Sequence, residues 1–407
     1  NNSIEGSNSV LERDWNRYLE DVARANKLIC NIDLVTDNSL TTAERAQYKA
    51  EAKIFRAMVM FDMVRLWGDF PVITTVADDI TSENIDEVYP QYFPKQNTEL
   101  EAYQQIEKDL LDAVLYAPDN TPGNKTLFTK SVARTLLAKI YAEKPLRDYT
   151  KVIQYCDEVK ADGFDLVDDF SDLFGMNAAG TDARMRNTKE SILEAQFTSG
   201  AGNWCTWMFG RDLVNWNNNF TWAKWVTPSR DLISAFKQEG DEVRFKESIV
   251  YYDCNWSNYY PSDNYPFMYK CRSANSSIIK YRYADVLLLK AEALIMQDTP
   301  DLEGAADIID KVRDRAKLGA LPTSVRSNKN AMLNALLKER RLELAFEGQR
   351  WFDLVRLDKV EEVMNAVYAK DSGRKAQIYT FDKNSYRLPI PQSVIDANDK
   401  IHQNPGY

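Results

Sequence analysis

The stretch KERRLELAFEGQRWFDLVRL, Lys338–Leu357, sets three glutamates four apart on a largely apolar background. Helical side chains advance about 100° per residue, so Leu333, Leu336, Leu337 and Leu344 share one face, with Arg340 and Glu347 in its middle. Leu342, Ala345 and Phe346 cover most of the opposite side. A helix that is apolar nearly all round is buried. Glu339, Glu343 and Glu347 then form a like-charge column, which repels itself by a few tenths of a kcal/mol per pair even when exposed. Buried, it demands cations. Arg340 and Arg350 are local sources, and Arg56 and Arg65, on a second apolar helix, are the expected distant ones. The residues thus predict a structural ion network of Glu339, Arg340, Glu343, Glu347, Arg56 and Arg65 in the centre of a helical fold. Perturbed carboxylates also gather in active sites, so a catalytic role is the alternative. Gly348 permits a bend, and Arg350–Leu357 reads as a further turn or two of helix.

Outward from this stretch, helical spacing recurs. Val10–Asp33 places Trp15, Tyr18, Leu19, Val22, Ala25, Ile29 and Ile32 at helical intervals. Thr41-x-x-Glu44 is a capping-box pattern that opens a helix running to Gly68, where Gly and then Pro71 end it. Thr98–Tyr116 is a third helix. Two helical hairpins follow, Thr129–Glu143 with Tyr149–Lys160, and Tyr283–Met296 with Leu302–Lys317, broken at Pro145 and Pro300. Their period approaches the 34-residue tetratricopeptide unit. Two hairpins are too few to stack alone, so the pairs at 10–67 and 329–357 are expected as irregular further repeats. A short echo, Phe61-Asp-Met-Val-Arg-Leu66 and Phe352-Asp-Leu-Val-Arg-Leu357, fits either a repeat or convergent packing. Val363–Lys370 is a last short helix.

Between the hairpins, Gly163–Lys280 has another character. Ser191–Phe197 alternates enough for a strand, but beyond it Asn, Ser, Gly and aromatics dominate and helical periodicity is lost. Loops of this length in compact domains are usually functional. Five of the nine tryptophans, Trp204, Trp207, Trp216, Trp222 and Trp225, fall between 204 and 225. Flat aromatic faces suit the C–H faces of sugars, and interleaved amides and guanidiniums complete the hydroxyl hydrogen bonds. The candidate glycan-binding residues are Trp207, Trp216, Trp222, Arg211, Asn217, Asn218, Tyr259 and Tyr260, with Tyr92 from the loop at 78–94.

Composition removes several function classes. The net charge of −10 argues against nucleic acid or an anionic membrane surface as partner. No apolar run approaches the ~18 residues of a membrane span. Five scattered cysteines without a CxxC fit neither a disulfide framework nor a zinc site. The single histidine, His402, sits almost at the end of the chain, which nearly excludes Ser–His–Asp, Cys–His and His-ligated metal chemistry. Carboxylate, Lys, Tyr or Arg chemistry stays open, and no cofactor is expected. Calcium stays open, because Asp78/Asp79 and Asp168/Asp169 offer oxygens, although without EF-hand spacing.

Four stretches together resemble the SusD/RagB family of outer-membrane glycan-binding lipoproteins of Bacteroidetes. They are AEAKIFRAMVMFDMVRLWGDFPVI (51–73), RYADVLLLKAEAL (282–294), the Lys338–Leu357 stretch, and the terminal QNPGY (403–407). The resemblance spans essentially the whole chain. It implies a mainly α fold, a tetratricopeptide-like superhelix of hairpins at 8–162 and 283–370, with a loop-rich ligand lobe at 163–282 and an extended segment at 371–407. It further implies a non-catalytic protein that faces outward on the outer membrane and passes oligosaccharides to a TonB-dependent transporter. Members carry a lipid on an N-terminal cysteine. No such cysteine lies near Asn1, so an N-terminal segment is expected to be missing. Two other readings stay open: a lid on the transporter without glycan affinity, and a glycoside hydrolase using two of Asp212, Asp231 and Asp253. Arg184, Arg186 and Arg211 point weakly to an acidic sugar.

Overall fold

The computed structural model describes residues 4–198, 226–254, 260–371 and 380–407. In chain order its main elements are α1 (Ser9–Asn31), α2 (Thr42–Trp67), α3 (Glu99–Tyr116), α4 (Lys130–Ala142), α5 (Tyr149–Ala161), β1 (Ser191–Ala195), α6 (Arg230–Glu239) and α7 (Glu242–Ser248). Then come β2 (Ile249–Tyr252), β3 (Tyr265–Met268), β4 (Ile278–Arg282), α8 (Tyr283–Met296), α9 (Leu302–Arg315), α10 (Lys329–Glu343), α11 (Arg350–Arg356) and α12 (Val360–Lys370).

Local signals start these helices where the sequence places them. Thr41 and Thr98 each cap an N-terminus in a reciprocal capping box with Glu44 and Glu101. Asn8, Asp148 and Asn328 cap α1, α5 and α10 with their side-chain oxygens. The helices pack in an array, α1 on α2, α2 on α3, α3 on α4, α4 on α5, α5 on α8, and α8 on both α9 and α10. One apolar core runs through it, from Trp15 and Trp67, whose rings meet edge-on at 5.3 Å, through Leu136 and Leu288 to Leu336. The fold is mainly helical, as expected.

Three local readings need correction. The lobe is not loop alone, since α6 and α7 lie inside it, with β1 paired antiparallel to β4 and β2 to β3. In α6, Leu232, Ile233 and Phe236 are buried, Ser229 caps the start and left-handed Gly240 (φ 70°) ends it. Ten residues of helix are easily lost beside an aromatic, asparagine-rich neighbour. The loop at 78–94 likewise holds two single turns, Ile85–Val88 and Tyr89–Tyr92. Third, the central helix stops at Glu343. Phe346 (φ 65°) and Gly348 (φ 75°) both lie in the left-handed region and reverse the chain before α11. Glu347 therefore sits in a turn and not on the helical column.

Candidate functional site

The buried charges come first, because they join the lobe to the helices. Arg244 of α7 is fully buried and reaches Glu339 at 2.5 Å, Glu343 at 3.0 Å and Asp241 at 2.5 Å. Arg282, the last residue of β4, holds Glu343 at 2.5 Å, Glu190 at 2.7 Å and Glu347 at 2.7 Å. Arg315 of α9 closes the cluster on Glu190 (2.5 Å) and Glu343. Lys270 lies 2.6 Å from Glu347. Burial pushes the Glu343 carboxyl up, but Arg315, Arg282 and Arg244 outweigh it and hold it well below the usual range. For Glu347 burial is likewise overcome, by Arg282 and Lys270. At Glu339 burial wins over Arg244 and the carboxyl is raised. Carboxylates and cations buried together in this way anchor the lobe to the helices.

The acidic column thus finds its cations, but not the expected ones. Arg56 instead binds Asp109 (2.7 Å) and Asn26 (2.7 Å) on the far side of α2. Arg65 pairs with Asp62 at 2.5 Å. Arg340 turns away from the column to Asp285 and Asp353, each at 2.8 Å, and Arg350 donates to the carbonyl of Leu337. The reason is geometric: α2 packs on α1 and α3, whereas α10 faces α8, α9 and α6. Sequence reading missed Arg244, Arg282, Arg315, Lys270 and Glu190. The available signal was Arg282 itself, a cation placed directly before the apolar run YADVLLLKAEAL.

Of the candidate ligand residues, Trp207, Arg211, Trp216, Asn217, Asn218, Trp222 and Tyr259 lie outside the described residues. The described residues on either side of them in the chain make specific contacts. Before the tryptophan-rich segment, Arg186 donates to the carbonyls of Phe197 (2.8 Å) and Asn275 (2.9 Å). After it, the Tyr260 hydroxyl donates to the Pro228 carbonyl at 2.7 Å, and the Thr227 hydroxyl meets that of Tyr265 at 2.7 Å. Tyr260 is therefore half-buried and packed, edge-on to Tyr265 at 5.7 Å, and is not a free wall for ligand. Tyr92 is exposed and donates to the Asp78 carbonyl, in a loop whose next residues are held by the C-terminal segment through Asn398 and Lys400. The structure thus puts Tyr92 and Tyr260 in different neighbourhoods.

Other expectations meet specific partners. Arg184 faces Asp172 (3.0 Å) and Asp169 (3.4 Å), and Arg186 faces Asp182 (2.6 Å). Asp168 pairs with Lys189. Asp231 is tied to Arg341 at 2.6 Å, while Asp253 is exposed. Among the described residues no three His, Cys, Asp or Glu side chains come together as a metal site, and no helix is long and apolar enough to cross a membrane. A concavity between Phe174, Met185, Lys270 and Ile279 has room for about one water.

Comparison with known proteins decides the kinship. Residues 262–407 match the model of the SusD family, and residues 1–142 match a SusD-like model described as starch-binding and associating with the outer membrane. The chain belongs to the SusD/RagB family. Its SusD-like relatives include protein P2 of Formosa agariphila, 27% identical over 98% of this chain and 81% of that protein. A SusD homolog of Bacteroides thetaiotaomicron superposes with a TM-score of 0.80 at 22% identity, over 100% of this chain and 88% of that one. A laminarin-binding SusD-like protein superposes at 0.72 with 24% identity, over 97% and 85% of the two chains. The two matches leave residues 143–261 uncovered, a span that holds α5 and most of the lobe.

Proposed function

We propose that this SusD-like chain is a non-catalytic glycan-binding protein of the outward face of the outer membrane. It takes oligosaccharides on the tryptophan-rich part of its lobe and passes them to a TonB-dependent transporter, held at the surface by a lipid anchor. One observation carries the reading: a scaffold of glycan-binding kinship presents a lobe in which five of nine tryptophans fall between 204 and 225, interleaved with asparagines. Trp207, Trp216 and Trp222 supply the stacking faces, and Arg211, Asn217 and Asn218 the hydrogen bonds. Tyr259 is retained as a second wall, whereas Tyr260 is bound to the Pro228 carbonyl.

Two of the three arginines that pointed to an acidic sugar are already paired. Arg184 and Arg186 each spend their charge on an aspartate, so neither is left to select an acidic glycan. The relative that binds laminarin and the family description as starch-binding both point to neutral glucans as the first ligands to try. Non-catalysis is supported by Asp231, whose carboxylate is committed to Arg341.

A glycan array on the soluble chain is the test. Retention of neutral glucans without cleavage products on prolonged incubation agrees with the proposal. Steady release of shorter oligosaccharides makes the protein a hydrolase. Failure to bind any glycan, with recovery of a β-barrel partner from outer membranes in mild detergent, makes it a lid.

A further inference from the structure

The connection between α2 and α3 turns large apolar side chains outward. Ile85–Val88 and Tyr89–Tyr92 are consecutive single turns, so Ile85, Tyr89 and Tyr92, at i, i+4 and i+7, share a face. They are 46%, 52% and 49% exposed, whereas Val88 is 3% exposed. The Tyr92 hydroxyl donates to the Asp78 carbonyl and the Asn84 amide to that of Asp79, both at 3.0 Å. These bonds tie the arm that carries the exposed Val76 and Ile80 to the same turns. The C-terminal segment holds the far end: the Asn398 amide donates to the Pro94 carbonyl at 2.8 Å and the Lys400 ammonium to that of Phe93 at 3.0 Å. The Phe93 ring in turn lies 4.9 Å from that of Tyr89. Among these apolar groups stand Asp78, Asp79, Glu83, Asp86 and Glu87, all exposed, and 76–92 contains no Lys or Arg. Elsewhere acids near the surface find cations, Asp33 with Lys49, Asp119 with Lys130 and Asp157 with Lys290. None of these five forms an ion pair among the described residues.

We infer that 76–92 is a docking surface for a protein whose contact face is an apolar depression ringed by Lys and Arg. Outward apolar groups gathered on an ordered segment mark interaction sites, and order already fixed lowers the entropy cost of binding. Charge decides the occupant. A second copy in a two-fold contact would set five carboxylates against five, and an anionic lipid surface would be repelled in the same way. A neutral glucan brings no cation to the carboxylates. A basic rim does both jobs: it draws the partner in across solution, and it pairs with the acids as the apolar centre closes. Tyr89, the most exposed of the three on the shared face, is the expected anchor. That the partner is the outer-membrane transporter rests on the function proposed above.

The test is made on the full chain in its native outer membrane. A photoreactive benzophenone side chain in place of Tyr89 should crosslink to a β-barrel protein, through a peptide of its outward loops that contains Lys or Arg. Two double variants, Ile85→Ser with Tyr89→Ser and Asp86→Lys with Glu87→Lys, should each lower recovery of that barrel in mild detergent about tenfold. Added salt should lower the wild-type recovery as well. Melting temperature and affinity for laminarin and soluble starch should stay unchanged in both variants, since all four side chains are exposed. Recovery of the barrel at wild-type levels by both variants overturns the docking surface and leaves the transporter reading intact. A crosslink from position 89 to a second copy overturns it too. So do variants that keep the barrel and lose the glucans, which make the loop part of the ligand site. If wild type recovers no barrel and position 89 crosslinks to none, the transporter reading itself fails, and this docking with it.

Discussion

The guanidinium of Arg65 lies 4.1 Å from the ring centre of Phe352, and on its other side 3.9 Å from that of Phe61. These two phenylalanines open the two copies of the Phe-Asp-x-Val-Arg-Leu echo. In each copy the aspartate and arginine pair three residues apart, Asp62 with Arg65 at 2.5 Å and Asp353 with Arg356 at 2.8 Å. The outer partners differ, for Asp62 also binds Lys280 and Asp353 also binds Arg340. The echo thus marks a place where α2 and α11, from opposite ends of the chain, share one cation. A double-mutant cycle of Arg65→Met and Phe352→Leu should show a coupling of about 1 kcal/mol, a typical value for a desolvated cation over an aromatic face. Additive effects on chemical denaturation would mean that the sandwich contributes nothing.

Glu343 accepts from Arg244, Arg282 and Arg315. Removing it leaves three buried guanidiniums short of a partner. Glu343→Ala should cost about 3–5 kcal/mol, by the usual penalty for breaking a buried ion pair. Calorimetry should show the melting temperature lowered by several degrees. Unchanged melting would show that the network is dispensable.

Acid stability follows from the same charges, with opposing signs. Asp285, Asp353, Glu343 and Glu347 are each pushed up by burial, but neighbouring cations outweigh it and depress them. Depressed carboxylates contribute stability that is present above their unfolded values, about 4, and lost as pH falls through the folded ones. Glu339, Asp241 and Glu143 are raised, burial being the leading cause. They bind protons more readily folded than unfolded, so mild acidification favours the fold through them. Melting temperature should therefore hold between about pH 7 and 5 and fall steeply below about 4. A steady decline from neutral pH would contradict this assignment.

The terminal Gln403-Asn-Pro-Gly-Tyr407 acts as a clasp between the C-terminal segment and the end of α2. The Asn404 amide donates to the carbonyls of Trp67 and Leu388, both at 2.7 Å, and the Gln403 side chain bonds both the N–H and the carbonyl of Ile390. Asn404→Ala leaves the last carbonyl of α2 without this donor. It should cost about 1–3 kcal/mol of stability while leaving glycan affinity intact. Loss of affinity at unchanged stability would place the clasp in the ligand site instead.

Much of this was legible in residues whose local chemistry is strong. Thr41 with Glu44, Thr98 with Glu101, and the apolar runs of α2, α8 and α10 fix helices whatever surrounds them. The demand of Glu339 and Glu343 for cations was legible too, but not which cations answered. Arg56 and Arg244 look alike in sequence, and only the packing of α10 away from α2 separates them. The turn at Phe346 was hidden because a bulky residue rarely adopts a left-handed backbone. For the ligand site, aromatic composition names a candidate segment but carries no geometry, and Tyr260, read as a free wall, is instead tied to the Pro228 carbonyl by a partner that lies 32 residues away in the chain.

The affinity of Trp207→Ala, Trp216→Ala and Trp222→Ala for laminarin and soluble starch, titrated calorimetrically beside wild type with melting recorded for each, bears most directly on the central claim. Binding energy concentrates in a few aromatic anchors, so at least one variant should lose about 2 kcal/mol, near thirtyfold in affinity, at unchanged melting temperature. Wild-type binding that survives all three substitutions, or that weakens only when the protein also unfolds, would show that these tryptophans are packing and that the glycan is held elsewhere.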